Sequence, residues 1–358
     1  MKKVLIVKPD GIGDFVIFSA VLAEYARLYK DSQLDLLCHP NVKLLAEAMP
    51  YFNRIDCVEW ARLGRKKGLF YKIGFHLRML IRHYDLVIYP LYSREHKGDV
   101  IVRFLRAKEK VAFDGGPARD IADRVKRRNR WYARIITADP RECLEIERNA
   151  EFINKIGGNV SLHGLAPKLF FTQEDTLEFD DLCRSNRLKS KEYICFFPGA
   201  GMPIRHWDPK EWISLIGNLR RQRPTQTFVF LGGEADRGVV NKILSGLQAD
   251  GCMVDLVGKL GLRLTAKVIE GAQLLVSMET SAVHIAAAVG TPNVCLIGGG
   301  HFGRFYPYGD LAKNRIVFKK MDCFGCNWNC RYSRIRCILE ISHLHVSTEV
   351  ERAGYARD

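Results

Sequence analysis

No uninterrupted apolar run in this 358-residue chain approaches the roughly 18–20 residues that a membrane-spanning helix needs. A secretory leader is not expected either, because Lys2-Lys3 is followed only by a short strand-like run ending at Lys8-Pro9-Asp10. Short-period repeats and low-complexity tracts are lacking, which argues against solenoid and fibrous architectures. No helix-turn-helix, zinc-finger or RNA-binding signature is present to support a nucleic-acid partner. Gly11 and Gly13 resemble a dinucleotide fingerprint, but Val16 stands where its third glycine belongs. His39-Pro40, not an acidic residue, follows the second strand-like run Gln33–Cys38, so a nicotinamide dehydrogenase is disfavoured. Nowhere do paired carboxylates form an evident cage for a divalent cation.

What the chain does contain is an ordinary folded composition, 47% apolar and 27% charged, at a length that suits two domains better than one. Lysine and arginine outnumber aspartate and glutamate by 55 to 40, a formal charge of +15. Such an excess points to an anionic partner. Basic residues cluster at 62–67 (RLGRKK) and 124–134 (RVKRRNRWYAR). Each reads either as a solvated helix face or, with Trp131 and Tyr132 beside the second, as a membrane-surface patch. The eleven cysteines lie mostly within apolar strands, which fits a reduced cytoplasm rather than secretion.

The organising stretch is 273–298, QLLVSMETSAVHIAAAVGTPNVCLIG. It reads as a buried strand, a hydroxyl-rich turn, an Ala-rich helix stopped at Gly290-Thr291-Pro292, and a second strand. Open α/β sheets bind ligands beside such turns, and unpaired N–H groups at the helix start favour phosphate. His284 falls four residues past Thr280, on the same helix face. Read more plainly, the stretch is one βαβ core element with a structural histidine. Strand-like segments recur through both halves, with an interdomain linker expected across about 160–190. The pattern implies an α/β protein with two Rossmann-like domains.

In the second half three strand ends carry ligand-type residues. Gly199 and Gly201 let backbone N–H groups approach phosphate oxygens, and Arg205 offers a bidentate partner for a diphosphate. Glu234 and Asp236 suit ribose hydroxyls, and Glu279, Thr280, Ser281 and His284 complete the set. In the first half Asp14 sits where the glycine turn meets a helix, either as a cap and dipole partner or as a general base.

Five blocks in this order, KVLIVKPDGIGDFV, PGAGMPIRHWDPKEW, GGEADR, LVGKLGL and METSAVHIAAAVGTPNV, make the chain resemble glycosyltransferase family 9 from end to end. These are the ADP-heptose:lipopolysaccharide heptosyltransferases. The resemblance implies a GT-B fold, with two parallel sheets facing each other across a cleft. It implies an acceptor-binding domain at 1–165 and a nucleotide-sugar-binding domain at 185–335. A segment 336–358 is expected to pack back on the first domain. Asp14 falls on the family's catalytic base, and Arg205 on a usually lysine position that contacts the donor phosphates. Lys8, Gly11 and Gly13 are then expected on the acceptor side. Glu279 and Ser281 replace the family's aspartate and glycine, and Ala200 and Gly201 stand where some members carry threonine. The implied activity is metal-independent, inverting transfer of a heptose from an ADP-linked donor to a lipopolysaccharide core or related acidic glycan, at the inner face of the cytoplasmic membrane. The rivals are transfer to a protein, and a nucleotide-sugar epimerase or hydrolase of the same fold.

Near the end Cys323, Cys326, Cys330 and Cys337 form C-x2-C-x3-C-x6-C. Four thiolates in fifteen residues suit a structural zinc or iron, and free or redox-linked thiols are the other reading. Similar cysteines recur in parts of the family.

Overall fold

The computed structural model describes residues 1–59, 74–75, 79, 81–115, 122–141, 143–247 and 251–353. The basic run 62–67 lies outside them. The chain divides into two compact units, Met1–His163 and Gly164–Asp358. Each is built on one six-stranded parallel sheet.

In the first unit the strands are β1 (Lys2–Lys8), β2 (Ser32–Cys38), β3 (Arg54–Cys57), β4 (His83–Tyr89), β5 (Arg106–Phe113) and β6 (Arg134–Ile136). Their order across the sheet is β3-β2-β1-β4-β5-β6. The second unit holds β7 (Tyr193–Phe197), β8 (Thr227–Phe230), β9 (Met253–Asp255), β10 (Leu274–Met278), β11 (Asn293–Leu296) and β12 (Asn314–Val317). They run β12-β11-β10-β7-β8-β9, the same doubly wound order read from the other edge. In each sheet the order reverses at one place: between β1 and β4 in the first, and between β7 and β10 in the second. Loops leaving neighbouring strands there diverge to opposite faces and open a crevice at their carboxyl ends.

Central strands are largely apolar because helices cover both faces; all five residues of β10 are buried. Trp207 and Trp212 are fully buried against the second sheet, and the Trp207 indole donates to the Ile341 carbonyl at 2.9 Å. That bond fastens the C-terminal segment to the second unit. Helix His343–Arg352 sinks Val346 and Val350 into the same core. The last segment therefore packs into the core of the second unit. The expected linker also shortens, because 173–186 is a helix capped by a reciprocal Thr172–Asp175 box.

One arginine of the second basic cluster is structural. Arg128 is buried and donates to Asp99 at 2.6 Å, and the Tyr132 hydroxyl donates to the same carboxylate at 2.6 Å. Arg94, also buried, lies 3.4 Å from Asp99 and 4.8 Å over the Tyr132 ring. One carboxylate thus holds two guanidinium groups inside the first unit. Arg127, Arg130 and Arg134 are left at the surface. Among the described residues no helix is long and apolar enough to cross a membrane.

Candidate active site

At the switch point of the second sheet, the loop after β7 and the loop after β10 meet through one side chain. Arg205 closes a short 3-10 turn, Pro203–Arg205, and its Nη2 donates to the Glu279 carbonyl at 2.6 Å. The same nitrogen lies 3.2 Å from Glu279 Oε2. The Trp328 ring covers the guanidinium at 4.8 Å. Both Glu279 contacts use Nη2, so the other edge of the planar fork keeps donors for a ligand.

Glu279 is only 6% exposed, and its Oε1 has no hydrogen-bond partner among the described residues. Burial pushes its carboxyl up to about 7 despite the opposing pull of Arg205. Near neutral pH it is therefore part neutral, and Arg205 is not fully neutralised.

Thr280 caps helix Ser281–Val289, its hydroxyl accepting from the Ala282 N–H at 3.3 Å. The helix start is thus built as the hydroxyl-rich turn implied, with Ser281 in its first turn. His284 is held from one ring nitrogen. It is buried, its Nδ1 pairs with the Tyr308 hydroxyl at 2.9 Å, and the two rings stack at 5.8 Å. Burial lowers it to about 3, so it is a neutral imidazole and brings no charge to a phosphate.

The remaining second-unit residues divide by role. Asp236 accepts from the Gly233 N–H at 2.9 Å and packs so closely on Gly199 that a Cβ there would lie 2.1 Å from its carboxyl carbon. Asp236 is thus committed to shaping the loops after β7 and β8, and Gly199 is required for that approach. Glu234 keeps a side chain 78% exposed, with its Oε2 3.7 Å from Arg237 Nη2. Gly201 is exposed with open space around it.

The first unit gathers a different set at the end of β1. Gly11, not Asp14, is the cap of helix Ile12–Phe18. Asp14 occupies the first turn, half-buried, which removes the cap reading and leaves the dipole-partner and base readings. Gly13 lies between them, half-buried. Lys8, expected on the acceptor side, is fully buried; its Nζ donates to Asp10 Oδ2 at 2.7 Å and sits 5.1 Å over the Phe18 ring. Burial alone would lower this ammonium, but Asp10, Glu145 and Asp14 outweigh it and raise it. Asp10, which the sequence reading passed over, is pushed up to about 7 by burial, against Lys8. Its Oδ1 also lacks a partner among the described residues. Its place two residues past a buried lysine at a sheet's carboxyl edge was the available signal.

The four late cysteines line one cavity of about 10 Å³ with Gly299, Met321 and Trp328. The Gly299 N–H donates to Cys337 Sγ at 3.3 Å. Among the described residues no three His, Cys, Asp or Glu side chains converge as a metal-binding group. The donor set suits zinc or iron in kind, while the sulfurs are not drawn together. Trp328 lies inside the cysteine spacing and joins this loop to Arg205.

The family model described as glycosyltransferase family 9 (heptosyltransferase) matches residues 76–328. Lipopolysaccharide heptosyltransferase 3 of Escherichia coli is 22% identical over 302 residues, 80% of each chain. Among solved structures, E. coli heptosyltransferase WaaC with ADP is similar over 98% of this chain and 99% of that one, with a TM-score of 0.73 at 18% identity. The iron-containing dodecameric glycosyltransferase TibC from enterotoxigenic E. coli is similar over 99% of this chain and 77% of its own, with a TM-score of 0.58 at 13% identity.

The buried Glu279 carboxyl has a consequence for stability. Unfolded, it loses its proton near 4.5; folded, near 7. Between those values the folded state binds more protons, so this group's contribution falls as pH rises through that window, by on the order of 3 kcal/mol in all. Glu279→Gln is expected to flatten that fall, measured as urea midpoints from pH 4.5 to 8; parallel profiles for the two proteins would contradict it.

Two doubly wound sheets of one strand order, joined to a sequence match across most of the chain, make this protein a member of glycosyltransferase family 9, and hence a glycosyltransferase of the heptosyltransferase kind.

Proposed function

We propose that the enzyme transfers a heptose from an ADP-linked donor to a lipopolysaccharide core or a related acidic glycan, with inversion at the anomeric carbon. The observation that carries the donor half is Arg205, held at the switch point of the second sheet beside a capped helix start and not fully neutralised by its partner. Arg205 and the backbone N–H groups at the start of helix Ser281–Val289 stabilise the leaving diphosphate as the glycosidic bond breaks. Glu234 meets a ribose hydroxyl, and Thr280 and Ser281 line the diphosphate. Support for ADP comes from the WaaC neighbour, described with that nucleotide bound.

Asp14 is the proposed base. It takes the proton of the acceptor hydroxyl as that oxygen attacks C1 on the face opposite the nucleotide. Lys8, through Asp10, and Gly11 with Gly13 shape its loop. The chain's charge of +15 suits a phosphorylated or carboxylated acceptor at the inner face of the cytoplasmic membrane.

Cys323, Cys326, Cys330 and Cys337 are proposed to hold a structural zinc or iron, which ties the loop together and takes no part in transfer. Support comes from their shared cavity and from the iron-containing neighbour. Metal analysis of protein purified without chelator is expected to find about one ion per chain; its absence leaves free thiols as the correct reading.

Asp14→Asn is expected to lower kcat by about 10²–10⁴-fold with the dissociation constant for ADP within twofold of the parent. Turnover within threefold of the parent would remove Asp14 from the mechanism. The same assay, scored for product on the acceptor against free sugar released without it, separates transfer from hydrolysis.

A further inference from the structure

The segment after β11 is a run of three glycines, Gly298–Gly300. Each is required by what lies on it. A Cβ at Gly298 would meet Trp328 at 2.5 Å, one at Gly299 would meet Phe324 at 2.4 Å, and one at Gly300 would meet Trp328 at 2.4 Å. The cysteine loop lies along this bare backbone through two hydrogen bonds, Gly325 N–H to the Gly299 carbonyl at 2.8 Å and Asn327 N–H to the Gly300 carbonyl at 3.0 Å.

Asn327 and Trp328 are both left-handed, at φ +48° and +62°. For a residue as bulky as tryptophan that region is strongly disfavoured, and it persists only where the surroundings over-determine it. Here they do. The loop is held on the glycine run, and the indole N–H donates to His301 Nδ1 at 3.3 Å. Among the contacts this strained turn presents is the indole ring against the Arg205 guanidinium, at 4.8 Å.

We propose that Trp328 is a positioning residue of the donor site, presented by the four-cysteine loop so that its ring fixes the Arg205 guanidinium for a nucleoside diphosphate. The proposal rests on the reading of Arg205 as the diphosphate ligand. A guanidinium stacked on an aromatic face is desolvated on that face and loses rotational freedom, while its in-plane N–H donors stay directed outward. Glu279 fixes one edge of the fork and Trp328 fixes its plane. Together they leave one orientation for the donors that remain. The cysteine loop then acts on the chemistry through a contact, without touching substrate.

The test is an ADP titration by calorimetry on the full chain as purified. Trp328→Leu keeps apolar bulk on the glycines but removes the π face, and is expected to weaken ADP by about 5–20-fold. Trp328→Phe is expected to recover most of that loss. Gly300→Ala, which displaces the indole without altering any group of the arginine, is expected to weaken ADP in the same direction and covers the case of a leucine variant that does not fold. In an Arg205→Ala background Trp328→Leu should change nothing further. A leucine or alanine variant that is folded by near-UV circular dichroism and binds ADP like the parent overturns the proposal, as does an equal loss with Arg205 absent. Parent-like ADP binding by Arg205→Ala alone would instead refute the reading of Arg205.

Discussion

The contact between Arg205 and Glu279 joins the two loops that diverge from β7 and β10, and the donor half of the site depends on it. A guanidinium in water would be an indifferent ligand. Here its carboxyl neighbour is buried and incompletely ionised near neutral pH, so the cation is oriented without being cancelled. A fully ionised, well-solvated glutamate at the same place would compete with a phosphate for the same donors. Burial of a single carboxyl oxygen without a partner is thus tied to the availability of the arginine.

The first unit shows a parallel arrangement with the charges reversed in prominence. Lys8 is the buried cation and Asp10 a carboxyl whose proton affinity burial raises, again at the switch point of a sheet with the same strand order. Each unit keeps an ion pair at its switch point: past the end of β1 in the first, and between the loops after β7 and β10 in the second. The first pair stands beside Asp14, the proposed base, and the second contains Arg205, the proposed diphosphate ligand. The fold supplies two crevices, and the polar pairs set the charge state within them.

Much of this was legible in the sequence. Strong apolar runs marked the central strands: the expected run Gln33–Cys38 is β2 but for its first residue, and the turn at Glu279–Ser281 begins a helix as its hydroxyls implied. The short edge strands β3, β6, β9 and β12, three or four residues each, were missed because half-exposed strands carry little hydrophobic pattern. Helix 173–186 hid inside an expected linker because its face is weakly apolar. The site was read by residue type, and type does not reveal commitment. His284 pairs with Tyr308, Asp236 packs beneath Gly199, and Lys8 pairs with Asp10. Trp328 escaped notice because its role follows from a left-handed turn and three bare glycines, which spacing alone does not show.

The claim that Glu279 leaves Arg205 available is tested most directly by counting protons taken up when ADP binds. A bound diphosphate beside Arg205 raises the Glu279 carboxyl further, so at pH 7.5 the protein should take up a fraction of a proton per ADP beyond that of the nucleotide itself. Calorimetry in two buffers of different ionisation enthalpy measures it. The account predicts such uptake in the parent and its loss in Glu279→Gln. Equal proton counts in the two proteins would contradict it.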